Sequence, residues 1–184
     1  PYHVGTLYNG PQHMGPANPL YLKPTGYRAT MVGIPYDDLA RWRAVYPAEV
    51  WIAQMEKVRA GFAHGCGLWG SLLPQVKEAA RAEAGRELGL FRAAELHIAA
   101  CVNQARFIAA RDRLQAAATD PERALCRSEL RAAARAELAV AKQLLPFAKA
   151  DSRIGYESSN HYFYIPQDLL EKVLCCRQVL RDLQ

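Results

Sequence analysis

Leu88-Gly89-Leu90-Phe91-Arg92-Ala93-Ala94-Glu95-Leu96-His97-Ile98-Ala99-Ala100-Cys101-Val102-Asn103-Gln104-Ala105-Arg106-Phe107-Ile108-Ala109-Ala110 contains no proline and repeats its apolar residues at helical spacing. Phe91, Ala94, Ile98, Cys101, Ala105 and Ile108 form one stripe, as on the buried face of a helix. Leu96, Ala100, Val102 and Phe107 make much of the remaining surface apolar as well. A helix apolar on several sides has neighbours on several sides, so the spacing predicts a central helix over about 88–117.

The flanks extend the pattern. Gly85 and Gly89 each cost ~1 kcal/mol inside a helix, which predicts a turn around 84–88. The helix before it would start near Ser71 or Pro74 and run through Glu78 and Ala82. Thr119-Asp120-Pro121-Glu122 combines a cap, a first-turn proline and an acid, a strong helix start. The helix it opens is expected to end at Pro146, with Leu130, Ala134, Leu138, Ala141 and Leu145 inward. Residues 151–164 break the period. Pro166 then opens a last helix that buries Leu169 or Leu170, Val173, Leu174 or Cys176, and Leu180.

Toward the N-terminus, Pro47 suits the first position of a helix. Its buried stripe would be Trp51, Met55, Val58 and Phe62, and His64-Gly65-Cys66-Gly67 would stop it. Asp37-Asp38 would cap a short helix over Leu39-Ala40-Arg41-Trp42. The expected fold is therefore all-α: an elongated bundle of about five to six helices over residues 37–184, preceded by an irregular segment, residues 1–36. That segment is rich in proline, glycine and tyrosine and carries two charges, Lys23 and Arg28. Residues 4–8 and 27–32 could be strands, and residues 9–19 are turn chemistry throughout. Long irregular loops of this kind tend to be functional or to dock on another surface.

At 184 residues the chain is sized for one domain. A 51% hydrophobic content excludes a disordered chain. No run approaches the ~20 apolar residues of a membrane helix, and the first residues lack the basic start and apolar core of a secretory signal. The missing initiator Met predicts a processed product or a piece of a longer protein. The net charge is +5. Residues 71–150 supply most of it, with 13 basic and 9 acidic groups. The five cysteines form no metal-binding spacing, and the adjacent Cys175 and Cys176 diverge on a helix. Small buried thiols in a reducing compartment, such as a cytoplasm, are the expectation.

Five clusters could carry chemistry. Tyr8, Asn9, Gln12, His13, Asn18 and Tyr21 offer aromatic faces and amide donors, as a sugar site does; the plain alternative is a loop packed on a neighbour. Arg153, Tyr156, Glu157, Asn160, His161, Tyr162 and Tyr164 fill an irregular segment between helices. They could form a site or plug one end of the bundle. Asp37 and Asp38, near Arg41 and Arg43, read best as helix caps. Arg123, Arg127, Arg131 and Arg135 form a basic ridge at i, i+4. It could bind nucleic acid, but pairing with Glu78, Glu83, Glu87 or Glu95, or simple solvation, is the better reading. His97 and Cys101 are two residues where a metal site needs more, so His97 is expected in the core. No phosphate loop or nucleophile elbow is present.

Three stretches resemble one group of proteins. They are Gly10-Pro11-Gln12-His13-Met14-Gly15-Pro16-Ala17-Asn18 with Pro24-Thr25-Gly26-Tyr27-Arg28-Ala29-Thr30-Met31; Asn103-Gln104-Ala105-Arg106-Phe107-Ile108; and Asp151-Ser152-Arg153-Ile154-Gly155-Tyr156-Glu157 running to Asn160-His161-Tyr162. They resemble the C-terminal part of large, little-characterised bacterial proteins that look like glycoside hydrolases. Those proteins are similar to the β-hexosaminidase and α-glucuronidase families, which carry a (β/α)8 barrel followed by a helical region.

The resemblance implies a helical C-terminal module of a carbohydrate-active protein, structural or substrate-completing and not catalytic alone. The loop around Gln12 and His13 would lie near the barrel's end, with Tyr8, Asn18 and Arg28 helping to form the sugar pocket. With Arg153, Tyr156 and His161 from the second cluster, these are the expected substrate-binding residues. No catalytic residue is expected, since a barrel alone needs ~200 residues, and no cofactor or metal is expected either. The expected partners are a preceding barrel domain of the same protein, a carbohydrate, and a second copy of the chain. A membrane is not expected, nor is nucleic acid. The competing readings are a basic helical nucleic-acid-binding or scaffold protein, and a self-contained enzyme built on residues 151–164.

Overall fold

The computed structural model of the chain describes residues 10–28, 33–156 and 163–184. Its helices are α1 (Leu39–Trp42), α2 (Ala48–Leu72), α3 (Glu78–Ala116), α4 (Asp120–Ala150) and α5 (Pro166–Asp182). A 3-10 turn, Leu73–Gln75, joins α2 to α3, and residues 10–13 form one further helical turn. No strand occurs among the described residues. The fold is an all-α bundle, as the periodicity predicts.

Local chemistry explains the starts. Asp38 Oδ1 accepts from the Arg41 backbone N–H at 3.2 Å and caps α1. Thr119 and Glu122 cap α4 reciprocally: Thr119 Oγ1 accepts from Glu122 N–H, and Glu122 Oε2 accepts from Thr119 N–H at 2.9 Å. These bonds hold the Glu122 carboxyl below its usual range. In α5, Asp168 Oδ2 accepts from Ile165 N–H at 2.8 Å.

Three expected boundaries are corrected. No turn interrupts 84–88, because α3 is one helix of 39 residues, ~58 Å long at 1.5 Å per residue. It packs on α2 and α4, and that packing, with the cooperativity of a long helix, outweighs two glycine penalties. Gly89 also has a packing role: a Cβ there would lie 3.6 Å from the Phe147 ring of α4. Likewise, α2 does not stop at 64–67. A glycine stop needs a left-handed residue, and neither Gly65 nor Gly67 has positive φ, so the helix runs on to Leu72. Pro146 lies inside α4, which ends at Ala150. The bond it forfeits belongs to the carbonyl four residues back, at exposed Lys142.

The core forms around α3, flanked by α2 and α4, with α5 packed on α4. Cys101, Ala105, Phe107 and Ile108 are all within 1% of full burial, which bears out the central helix. Phe91 is 39% exposed and Val58 42% exposed, so both expected stripes fade toward the α2–α3 connection. In α5 the buried members of the two ambiguous pairs are Leu169 and Cys176; Leu170 and Leu174 face solvent.

The boundary at residue 36 does not separate two cores. Met14 packs with Trp42, Trp51, Met55 and Val102. Leu20 packs with Phe107, Leu130, Cys176 and Val179. The described part of the N-terminal segment is thus one wall of the bundle. Tyr27 and Arg28 are exposed and not in a strand; the expected strand over 4–8 and the rest of that over 27–32 lie outside the described residues. No helix among the described residues is long and apolar enough to cross a membrane.

Candidate functional site

An irregular segment buried against helices must find partners for its backbone polar groups. Residues 11–18 find theirs on the side chains of α3 and α5. The Gly15 N–H donates to Gln104 Oε1 at 3.0 Å, and Gln104 Nε2 donates on to the Tyr36 carbonyl at 3.4 Å. The Cys101 thiol donates to the Met14 carbonyl. His97 Nε2 bonds the Pro11 carbonyl. Lys172 Nζ donates to the Gly15 carbonyl at 3.1 Å and to the Asn18 carbonyl. Asn18 turns its own amide inward, donating to the His13 carbonyl at 2.6 Å.

Lys172 is fully buried, and so is its counter-ion. Nζ lies 3.1 Å from Glu137 Oε1 on α4, out of line for a directed hydrogen bond. Glu137 Oε2 accepts from Asn103 Nδ2 of α3 at 3.0 Å. Three helices and the segment therefore meet at one buried charge pair. Gly15 fits because its φ is +152° and a Cβ would lie 3.2 Å from Cys101 Sγ.

A second buried pair fixes the segment further along. Arg111 of α3 donates to Asp37 Oδ2 at 2.9 Å and to the Asp37 carbonyl at 2.8 Å. Asp37 also accepts from the Thr25 N–H at 2.8 Å and from Thr25 Oγ1 at 2.9 Å. This corrects the reading of Asp37 as a cap. Only Asp38 caps α1, while Asp37 points inward and ties residues 25 and 37 to the central helix.

The clamped segment shows one face outward. The His13 ring stacks on Trp42, centroids 5.2 Å apart and planes 22° apart. The edge contact with Phe163 is at 6.1 Å. A polar cavity of about 50 Å³, room for a water-sized group, opens here; Gln12, His13, Asn18, Tyr36, His97 and Tyr164 are among its lining. Burial lowers the pKa of His13 and of His97, the Pro11 bond partly opposing it at His97. Burial raises the Tyr164 phenol and the Cys101 thiol, and pushes Cys176 up to about 12. The His97 imidazole and the Cys101 thiol bond backbone carbonyls of the segment, and thiols held protonated by burial are not ready nucleophiles.

Of the expected site residues, Gln12, His13 and Asn18 come together at this cavity. Tyr8 and His161 lie outside the described residues. Arg28 is exposed and does not line the cavity. Arg153 is exposed too and pairs with Asp151 at 2.7 Å and Glu87 at 3.2 Å, holding the Asp151 carboxyl below its usual range. It lines a separate depression of about 330 Å³ on the other side of His97 and Tyr164. Tyr156 is 54% exposed. Gly155, with φ +83°, returns the chain so that the Phe163 N–H donates to its carbonyl at 2.7 Å.

The ridge acids pair elsewhere. Glu78, Glu83 and Glu95 each bond an arginine three residues away on α3. Arg123 pairs with Asp120 at 2.7 Å, and Arg131 donates to the Leu183 carbonyl at 2.9 Å. Among the described residues no group of three or more His, Cys, Asp or Glu could hold a metal ion. All five cysteines are free.

Sequence reasoning missed Lys172, Glu137, Asn103, Gln104 and Arg111. A signal for two of them existed. Lys172 falls in register with Leu169, Cys176 and Val179, and Glu137 with Leu130, Ala134, Ala141 and Leu144. A charge inside an apolar stripe on each of two helices marks a buried pair.

Comparison of the chain with family models, with curated proteins and with solved structures finds no match.

Proposed function

We propose that this chain is a helical module of a bacterial carbohydrate-active, glycoside-hydrolase-like protein. Its part is to complete a sugar site, not to perform hydrolysis. The observation that carries this reading is the clamping of residues 11–18. A buried lysine–carboxylate pair, two amide side chains and an imidazole hold that short stretch in one conformation. Buried ion pairs are weak sources of net stability and useful sources of fixed geometry. What this one fixes is the edge bearing Gln12 and His13, flanked by Trp42 and Phe163. Amide and imidazole groups beside aromatic faces suit sugar hydroxyls and sugar ring faces. A cavity of about 50 Å³ accepts one substituent, not a ring, so most of the sugar would rest on a preceding barrel domain.

The test has two arms. Reading the coding sequence upstream of Pro1 should reveal alternating strand and helix segments of a barrel. Titrating the labelled chain with N-acetylhexosamines and hexuronic acids should move the Gln12 and His13 amide resonances, and His13→Ala should abolish the response. The absence of both, with no barrel upstream and no sugar-dependent shift, would end this reading.

One observation favours a second reading. Arg127 and Arg135 are exposed on α4 and have no ion-pair partner among the described residues. A polyanion could use them. Binding to nucleic acid that weakens steeply with salt, and is lost in Arg127→Glu/Arg135→Glu, would support that role; no binding at low salt would remove it.

A further inference from the structure

The far ends of α2 and α3 are poorly covered. Across residues 57–92 only Cys66 is buried. Val58, Gly61, Gly65, Leu68 and Leu72 recur on α2 at spacings of 3, 4, 3 and 4, the seam a helix offers to another helix. Yet Val58 is 42%, Leu68 55% and Leu72 54% exposed. Trp69, tilted 44° against Phe91 with ring centroids 5.4 Å apart, is 36% exposed. Beside the seam runs an apolar groove of about 430 Å³, with Val58, Phe62, Cys66, Trp69, Leu88 and Phe91 in its walls. A Cβ built on Gly61 or Gly65 meets nothing within 4 Å. Packing inside this chain therefore does not explain either glycine.

We propose that this face binds a second copy of the chain, the two α2 helices crossing antiparallel about a two-fold axis at Gly65. The inference is independent of the carbohydrate reading. Its ground is self-complementarity, which a two-fold interface demands. Reversing the chain about Gly65 places Trp69 opposite Gly61, Leu72 opposite Val58, and Leu68 opposite Phe62. The largest side chain thus meets a position with no side chain, and apolar meets apolar elsewhere. Charges are also kept apart: Lys57 falls opposite Leu73, and Arg59 opposite Ser71. Residues 58–72 span ~21 Å, and α2 with α3 is ~20 Å wide. Such a face measures ~420 Å² in projection, about half the ~800 Å² per partner of a standard interface, which suits a weak, concentration-dependent dimer. The product is a four-helix bundle made of α2 and α3 from each copy.

Sedimentation velocity on the full chain, from about 1 to about 200 µM, should show a monomer–dimer equilibrium. Gly65→Gln and Leu68→Lys should each weaken it at least about tenfold without changing the helical circular dichroism, since a Cβ at Gly65 meets nothing and Leu68 is 55% exposed in the single chain. Oxidising a mixture of Val58→Cys and Leu72→Cys chains should give the mixed disulfide, and Val58→Cys alone should give no 58–58 dimer. A wild-type chain that stays monomeric throughout, whatever else covers the seam, overturns the proposal. So does a dimer that survives both substitutions, or a 58–58 cross-link.

Discussion

Lys172 is the buried charge on which α4, α5 and the N-terminal segment converge, with Asn103 of α3 bonded to its counter-ion. Its ammonium sits among Gly15, Asn18 and Glu137 with no solvent exposure. Removing one member of a buried pair strands the other charge, typically at 3–5 kcal/mol. Lys172→Met should therefore cost about that much in urea unfolding. The double variant Lys172→Met/Glu137→Leu should recover most of the loss. If the single variant were as stable as the wild type, the pair would have no structural role.

His97 sets the pH response at the same scale. Burial depresses its pKa in the folded chain, while the unfolded chain titrates near 6.5. Between those two values the unfolded state binds the proton and the folded state does not. Stability therefore stays whole above about 6.5 and falls as pH drops toward the folded pKa. His13 acts in the same direction. Urea midpoints should decline from pH 7.5 to pH 5, and His97→Gln should flatten the decline. The opposite slope would mean that His97 is charged in the fold.

Among the elements, the helices were legible where composition and period agreed. The α4 start at Thr119 and the α5 start at Pro166 stand where cap chemistry puts them. The missed boundaries share one cause. Gly85, Gly65, Gly67 and Pro146 are local stop signals, and α2, α3 and α4 run through them because a long helix anchored by packing elsewhere along its length propagates cooperatively past a local penalty. Gly85 makes this measurable. It lies mid-helix with nothing within 4 Å of a Cβ, so Gly85→Ala should stabilise the chain by about 0.5–1 kcal/mol. A loss on that substitution would mean that residue 85 is not helical. Gly155 should behave oppositely. Its φ is positive, and a Cβ would clash with the Tyr164 carbonyl oxygen, so Gly155→Ala should destabilise by about 1–3 kcal/mol and disturb the Phe163 edge of the candidate site.

At the scale of the molecule, the site was half legible. Gln12, His13 and Asn18 stood out because amides and imidazole in a proline-rich loop are unusual. The groups that hold them did not, because Gln104, Asn103, Lys172 and Glu137 lie on long helices where polar residues normally face water. Their inward direction follows from the packing of three helices against a segment distant in sequence. The same packing makes residues 10–28 part of the bundle and leaves the far ends of α2 and α3 bare.

The most direct test of the clamp is native-state hydrogen exchange at the Gly15 amide, which donates to the buried Gln104 side chain. It should open with the same free energy as Ala105 in the centre of α3, and Lys172→Met should drop its protection well below that of Ala105. Exchange of the Gly15 amide at the rate of an exposed loop in the wild-type chain would contradict the clamp.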